Sequence, residues 1–416
     1  MNKTKGLKPL MIFLVLYIFW GFVFSHTVFE STLAVYISFA ALFVYFSFLL
    51  MQNVQYKKET TAIVWFPYLF YTIIGYLAHT NFQQLSYWVV CLSLVIIAVP
   101  VAILRCIPFR LIFGIGGVAV FGILFQLFFP DLYNSYISPL FKSDLTKSWV
   151  ESHYGFSGFS YQLDQTGLQI LYAEGILTFL YVFIRHRYRE PVFRWSLIIL
   201  SVICVFMTGK RMLALIAIVA PLFVFLFSQK SSGKRLLIIV FVSLFSFVGY
   251  SYLVSNVDSY SESIIIGRFA RSITESKAGE DITSNRYILA EEAFNFFSEN
   301  PIIGIGVGEF PNRSYLKTDT HNTYLQVLCE QGIIGIVFFI IPLFYCLTET
   351  VKSLRRVPES MCKKFLRYSL FIQLLYILYS YSGNTNINLT GFVMYFIAIA
   401  ILNNCKSKIR EGNYDY

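Results

Sequence analysis

Residues 108–129 read PFRLIFGIGGVAVFGILFQLFF, and Arg110 near the start is their one charged residue. A helix of about 20 apolar residues crosses the roughly 30 Å hydrocarbon core of a bilayer. The stretch therefore predicts a transmembrane helix. Similar apolar runs recur along the chain and predict about twelve spans, at residues 9–25, 32–51, 61–78, 84–104, 108–129, 167–184, 195–208, 212–228, 236–254, 328–347, 367–381 and 390–403.

The composition of the whole 416-residue chain agrees with a membrane protein. Hydrophobic residues make up 56% of it and charged residues 13%, and the mean hydropathy is +0.63. Soluble domains carry roughly 25% charged residues, so this chain has too little charge to cover a soluble surface. These numbers exclude an ordinary soluble enzyme and a disordered chain. The predicted fold class is an all-α polytopic membrane protein.

The distribution of the 33 Lys and Arg residues predicts the orientation of the spans. With twelve spans and both termini in the cytoplasm, most of these cations fall in the inner segments, as the positive-inside rule requires. The net charge of +10 is then mainly a topology signal, with some attraction to anionic lipid. We therefore expect no nucleic-acid partner.

Two stretches between the predicted spans are long, residues 130–166 and residues 255–327, and both lie outside in this topology. The chain is accordingly divided into residues 1–254 with spans one to nine, the large extracytoplasmic loop 255–327, and residues 328–416 with spans ten to twelve and a cytoplasmic tail. Long loops are usually functional. A chemical site is therefore expected at the outer face.

A short outer turn, Thr208-Gly209-Lys210-Arg211, places two adjacent cations between two apolar runs. Arginine pairs with two phosphate oxygens at once, which suits an anion clamp at the membrane surface. The alternative is that both side chains only extend from the interface towards water.

A further cation, Arg286, opens a predicted amphipathic helix over residues 285–299, with Thr283 or Ser284 as its N-cap. The free backbone N–H groups and the positive dipole end of a helix start favour an anion there. A surface or ion-paired arginine is the alternative. The apolar side chains that share one face of this helix, and that we expect to pack on the spans or the lipid, are Leu289, Ala293, Phe296 and Phe297.

Two more motifs complete the large outer loop. The alternating glycines Gly304, Gly306 and Gly308 lack the lysine of a P-loop and predict a tight turn against the membrane surface. His321 stands in a polar segment where the chain re-enters the membrane. A neutral imidazole there is either a base that works near neutral pH or a structural hydrogen-bonding group.

Together these motifs resemble the O-antigen ligase and polymerase superfamily, integral-membrane enzymes that handle undecaprenyl-diphosphate-linked glycans. The turn before Arg211 matches that family, with Lys210 in place of the usual small residue. The other matching residues are Arg286 at a helix start, Asn300-Pro301, the glycines Gly304, Gly306 and Gly308, His321-Asn322 with Tyr324 and Leu325, and Glu330-x-Gly332-x-x-Gly335.

The resemblance implies glycosyl transfer from a lipid diphosphate without a metal or another cofactor. It makes His321 the base that activates the acceptor hydroxyl. Arg211 and Arg286, helped by Lys210, then bind the diphosphate and stabilise its developing charge. A single displacement inverts the anomeric centre. The alternative base is an outer carboxylate: Glu309, Asp319 or Asp164. The supporting motif residues are Asn322, Tyr324, Glu330, Gly304 and Gly306.

Within the superfamily we expect a polymerase of O-antigen, capsule or exopolysaccharide, because variable chains rich in Phe and Tyr are more commonly interpreted as polymerases. A ligase or a protein oligosaccharyltransferase shares the chemistry and differs in the acceptor. The expected partners are a lipid-linked oligosaccharide donor and acceptor, a chain-length regulator and a flippase. The expected location is the bacterial cytoplasmic membrane.

A transporter or lipid-linked oligosaccharide flippase is the alternative from another class. Such a protein carries charges inside the bundle at mid-membrane depth and usually has two related halves. Glu174 is the one clear candidate deep in a predicted span, and the longest loop lies on one side. The aromatic, Gly-rich segment 153–162 is expected either to line the acceptor side or to form an interfacial loop.

Overall fold

A computed structural model describes residues 60–79, 109–140, 155–160, 162–183, 186–229, 286–385 and 389–412, with scattered residues within 90–93 and 233–274. Every regular element in this part of the chain is helical, in agreement with the all-α prediction. The longer helices are α1 (Thr60–Ala78), α2 (Phe109–Phe128), α3 (Leu163–Phe179), α4 (Pro191–Met207), α5 (Arg211–Ser228), α6 (Arg286–Glu299), α7 (Thr323–Arg356), α8 (Met361–Tyr379) and α9 (Leu389–Arg410).

Several of these helices are suited to a membrane. Within the described residues, four are long and apolar enough to cross a bilayer: Phe109–Phe128, Arg211–Ser228, Thr323–Arg356 and Gly391–Arg410. Two shorter apolar helices accompany them, Ile63–Ala78 and Pro191–Met207. The protein is therefore a helical membrane protein.

The predicted spans can be compared with helices over part of the chain. Those at 9–25 and 32–51 lie outside the described residues, and those at 84–104 and 236–254 lie almost wholly outside them. The total of twelve therefore stays a prediction. The helix at the span predicted for residues 167–184 lies a few residues earlier, at Leu163–Phe179, and a short 3-10 turn follows it. The last two predicted spans coincide with α8 and α9, although α9 continues to Arg410.

The chain divides into two compact units, of which the first contains α1 and α6 to α9. In it α7 packs on α1, α6 and α8, and α8 packs on α9. Aromatic rings fill the contact between helices: the ring centroids of Trp65 and Phe396 lie 5.0 Å apart, as do those of Tyr68 and Phe339. Such pairs add about 0.5–1.5 kcal/mol each beyond the area they bury.

The second unit contains α2 to α5, with α3 at its centre. Nearly every side chain of α3 is buried, and it packs on α2, α4 and α5. A helix that is buried all round belongs in the middle of a bundle. Gly116 of α2 allows the two helices to approach closely, because a Cβ there would overlap Ala173 and the carbonyl of Gln169.

Candidate active site

The site in the first unit is organised by a break in α7. The backbone of Gly332 is not helical, with φ of 64° and ψ of −163°. A helix end leaves backbone carbonyls without intrahelical partners. Here the carbonyls of Cys329 and Glu330 accept hydrogen bonds from the N–H groups of Ile305, at 2.9 Å, and Gly306, at 3.0 Å. The glycine-rich turn thus completes the hydrogen bonding of the broken helix.

The other side of the break is joined to the same turn. The N–H groups of Ile333 and Ile334 donate to the carbonyls of Pro301, at 2.9 Å, and Ile302, at 3.4 Å. The glycine-rich turn and the break in α7 each need a glycine where their backbones meet. Gly304 has a φ of 73°, and a Cβ on it would overlap the backbone of Glu330; one on Gly332 would overlap the backbone of Ile302.

The two glycine motifs of the sequence therefore form one interlocked piece. The predicted tight turn exists, and its partner is the backbone of α7, which the sequence reading missed. The available signal was the Glu330-x-Gly332 pair inside an otherwise apolar run, since a glycine there marks a helix break.

Glu330 is a buried carboxylate that holds this piece together. One of its oxygens accepts from the backbone N–H of Phe310 at 3.1 Å and from Nε2 of Gln326 at 2.7 Å. The backbone N–H of Gly308 also donates to its carboxylate. A polar group can be buried at low cost when hydrogen bonds replace those it made to water. Glu330 thus connects the end of the glycine turn to the first half of α7.

Gln326 carries the network outwards to the loop before α7. Its Oε1 accepts from the backbone N–H of Thr320 at 3.0 Å. Its Nε2 donates to Oδ1 of Asp319 at 3.3 Å. The sequence reading missed Gln326, although its spacing of four from Glu330 on a helix puts the two on one face.

Asn322 caps α7. Its Oδ1 accepts from the backbone N–H groups of Tyr324, at 3.0 Å, and Leu325, at 3.2 Å, which is the geometry of an N-cap. The hydroxyl of Thr320 donates to the carbonyl of Asn322 at 2.7 Å. The asparagine of the His-Asn motif therefore sets where the helix begins.

The same loop is attached to the end of α8. The Thr323 backbone N–H donates to the carbonyl of Ser380 at 2.8 Å. The Thr323 hydroxyl donates to the carbonyl of Gly383, also at 2.8 Å. The Tyr324 hydroxyl donates to the carbonyl of Ile377 at 2.8 Å. Tyr324, a predicted supporting residue, thus joins α7 to α8.

His321 is exposed and lies in the left-handed region, with a φ of 53°. That conformation is unfavourable for a residue with a Cβ and persists only where the surroundings impose it. Here buried Thr320 and the cap residue Asn322 flank it. The loop therefore exposes the imidazole at the protein surface, and the backbone of His321 is strained in doing so.

Asp319 lies beside this histidine. Burial raises the pKa of the Asp319 carboxyl above its ordinary value. The positive charge of His321 and hydrogen bonds from Asn384 and Gln326 oppose that rise. A carboxylate close to an exposed imidazole can orient the ring and stabilise its protonated form. Of the other predicted carboxylates in this unit, Glu309 is half-buried at the end of the glycine turn.

Arg286 opens α6 and is exposed. The predicted apolar face of α6 is confirmed, since Leu289 and Ala293 pack with Ile305 and Phe310. The predicted caps, residues 283–284, lie outside the described part of the chain.

The second unit holds the other predicted cations. The turn Thr208-Gly209-Lys210 joins α4 to α5, and Arg211, half-buried, is the first residue of α5. Nζ of Lys210 lies 3.0 Å from Oδ2 of Asp164, so the two form an ion pair. Lys210 and Asp164, which the sequence offered as an alternative base, are therefore each other's partner within one unit.

Segment 155–160 is hydrogen-bonded to the end of α4, next to this turn. The backbone N–H of Phe156 donates to the carbonyl of Met207 at 2.9 Å. Ser157 and Ser160 are buried, and the Tyr133 hydroxyl donates to the carbonyl of Gly158 at 2.7 Å. These polar groups therefore have partners inside the protein, and the role of the segment stays a prediction.

The predicted site residues are divided between the two units. The first holds Arg286, Gly304, Gly306, His321, Asn322, Tyr324 and Glu330, and the second holds Lys210 and Arg211. In the part of the chain that the structure covers, no three His, Cys, Asp or Glu side chains are grouped to hold a metal ion.

The chain matches a known protein family over part of its length. Residues 195–340 match the family model described as O-antigen ligase. The matched range runs from α4 through the cationic turn, α6 and the glycine turn into α7, and so contains both Arg211 and His321. No curated protein matches the chain significantly. Over residues 195–340 the chain is therefore similar to the O-antigen ligase family, and this match supports the O-antigen ligase and polymerase superfamily that the sequence motifs resemble.

Proposed function

We propose that this protein is a polysaccharide polymerase. It moves a growing glycan from undecaprenyl diphosphate onto the next lipid-linked repeat unit, at the outer face of the bacterial cytoplasmic membrane. The family match supports a membrane glycosyltransferase-like enzyme. The observation that carries the proposal is His321, an exposed imidazole in a left-handed conformation on a hydrogen-bonded loop beside Asp319.

The residues suit this chemistry. As the acceptor hydroxyl oxygen forms a bond to the anomeric carbon of the donor, the neutral imidazole of His321 takes its proton. The bond from that carbon to the diphosphate oxygen breaks at the same time, and the lipid diphosphate leaves with the electron pair. Arg211 and Arg286 stabilise the charge that develops on it. The anomeric centre is inverted in this single displacement.

The acceptor distinguishes a polymerase from a ligase. A polymerase uses another lipid-linked repeat unit, whereas a ligase uses a different final acceptor. The matched family model carries the description of a ligase, which makes ligation the second candidate within the superfamily.

Complementation tests the proposal. A strain that lacks the gene receives His321→Ala, Arg211→Ala or Arg286→Ala at matched membrane levels, and its surface glycan is run on a gel. Single repeat units with all three variants support a polymerase. Lipid-linked long chains that never reach their final acceptor indicate a ligase. Lys317→Ala is the control, because Lys317 is an exposed cation of the same loop and is expected to leave the ladder normal.

One observation favours a second candidate from another class, a flippase. Glu174 is buried in α3, and among the described residues its Oε2 has no hydrogen-bond partner. Carboxyl groups inside helical bundles often mark transport pathways. Normal ladders from all three site variants, together with loss of surface glycan in Glu174→Gln, would establish this reading instead.

A further inference from the structure

The turn between α6 and the glycines exposes large apolar side chains. Ile302 and Ile303 are 62% and 63% exposed. The backbone of the same turn is hydrogen-bonded into the break of α7. Its side chains therefore point away from the protein while its backbone is held against a helix that is apolar enough to span a membrane.

The exposed surface of α7 continues this apolar tip. Four exposed side chains recur on one face of the helix at spacings of four, four and three: Ile333, Val337, Ile341 and Phe344. On a membrane-spanning helix such a face meets lipid. The bonds from Ile333 to Pro301 and from Ile334 to Ile302 attach the tip directly beside the first residue of that face.

Several backbone groups of the turn are hydrogen-bonded to the protein. Irregular backbone exposed to lipid does not occur within the hydrocarbon core, so the backbone of such a turn belongs at the membrane interface. Here the carbonyls of Pro301 and Ile302 and the N–H groups of Gly304 and Ile305 all have backbone partners. The exposed polar residues Glu299 and Asn300 precede the tip and limit the depth that it can reach.

Helix α6 has the surface expected of a neighbour lying along the membrane. Its exposed side carries two aromatic residues seven positions apart, Tyr287 and Phe294. Aromatic rings concentrate where hydrocarbon meets the headgroups. The opposite face of α6 is packed on the protein through Leu289 and Ala293.

We propose that the side chains of Ile302 and Ile303 insert into the upper acyl chains of the bilayer leaflet on the His321 side, while the backbone of the turn and α6 lie at the interface. The glycine turn is then an interfacial anchor that sets the height of the His321 loop above the lipid. The immersion is independent of the proposed reaction and of the orientation of the protein in the cell.

Fluorescence of the full-length protein tests the immersion. An environment-sensitive fluorescent amino acid replaces Ile302, Ile303 or, as the control, Tyr315, which is 83% exposed on the same loop system and is expected to face water. The proteins are reconstituted in vesicles of phosphatidylethanolamine and phosphatidylglycerol. Iodide reports access from water, and a phospholipid with a doxyl group high on its acyl chain reports contact with hydrocarbon.

The expected result is a blue-shifted emission at 302 and 303, several-fold weaker iodide quenching than at 315, and strong doxyl quenching. Equal iodide quenching at all three positions overturns the proposal. Position 303 keeps the test decisive if the probe at 302 prevents folding. Because no activity is measured, the result does not depend on whether the glycan chemistry is correct.

Discussion

Gly304 lies so close to the backbone of Glu330 that a Cβ on Gly304 would overlap it. This contact joins two motifs 26 positions apart and fixes the glycine turn to the break in α7. The loop that carries His321 is hydrogen-bonded to the same stretch of α7, because the N–H of Thr320 donates to Gln326 and Gln326 donates to Glu330. The position of the imidazole therefore depends on the interlock beneath it.

Gly304→Ala is expected to destabilise the protein. The left-handed backbone costs a residue with a Cβ about 1–2 kcal/mol, and the overlap adds to that cost. The melting temperature in detergent should fall clearly, together with the membrane level. Gly117→Ala on α2 is the matched control, because a Cβ there meets no atom within 4 Å, and it should keep or raise the melting temperature. Equal melting temperatures for both variants would show that the interlock contributes nothing.

His321→Gly should separate stability from activity. Glycine relieves backbone strain of about 1 kcal/mol, so this variant should melt at a higher temperature than His321→Ala while both lose glycan synthesis. Lys317 also has a left-handed backbone, with a φ of 51°. Lys317→Gly should share the relief and keep normal activity. A His321→Gly variant that still makes long chains would remove His321 from the chemistry.

Asn322→Ala should cost about 1 kcal/mol through loss of the α7 cap, and Asn322→Ser should restore most of it. Ser360 provides the comparison, since its hydroxyl caps α8 by accepting from the Lys363 N–H at 3.3 Å. Ser360→Ala should lower the melting temperature similarly but leave activity intact. If Asn322→Ala and Ser360→Ala reduce activity equally, the cap of α7 has no special role in positioning His321.

The Lys210–Asp164 ion pair is partly exposed, so breaking it should cost less than about 1 kcal/mol. If Lys210 serves only this pair, Lys210→Ala and Asp164→Asn should be non-additive in melting temperature and both should retain activity. If Lys210 also binds diphosphate, Lys210→Ala should lose activity, and adding Asp164→Asn to that variant should not restore it. Arg211→Ala is the reference for an activity loss independent of Asp164.

Asp319→Asn tests the carboxylate beside His321. Because burial raises the pKa of Asp319, ionisation of this group opposes folding. Its contribution to stability is full at acidic pH and is lost as the pH rises through the folded-state pKa. The Asn variant should therefore gain stability relative to the parent as the pH rises from acidic to neutral.

Activity gives the second readout for Asp319. Removing a negative charge disfavours the protonated imidazole, so the acid limb of the pH–activity profile should move to lower pH in Asp319→Asn. Glu291→Gln, which changes an exposed carboxylate of α6, is the control and should leave the profile in place. If Asp319→Asn abolishes activity at every pH while His321→Ala retains some, the base is Asp319.

The amino-acid sequence by itself determined the class of the protein and many of its local elements. Apolar run length and low charge identify membrane helices, because the bilayer sets how long such a run must be. Local periodicity predicted α6 and its buried face, since a helix places residues three and four apart together. The His-Asn and glycine motifs pointed to the superfamily that the family match supports.

Only the tertiary structure decided which of these residues are partners. Gly304 needs the backbone of Glu330, Lys210 meets Asp164 from 46 positions away, and the loop of His321 rests on the end of α8. These contacts join segments far apart in the chain, and their geometry depends on how helices pack. Residue patterns along one chain report local periodicity and chemical type, so they could name the histidine but not the buried network that holds it.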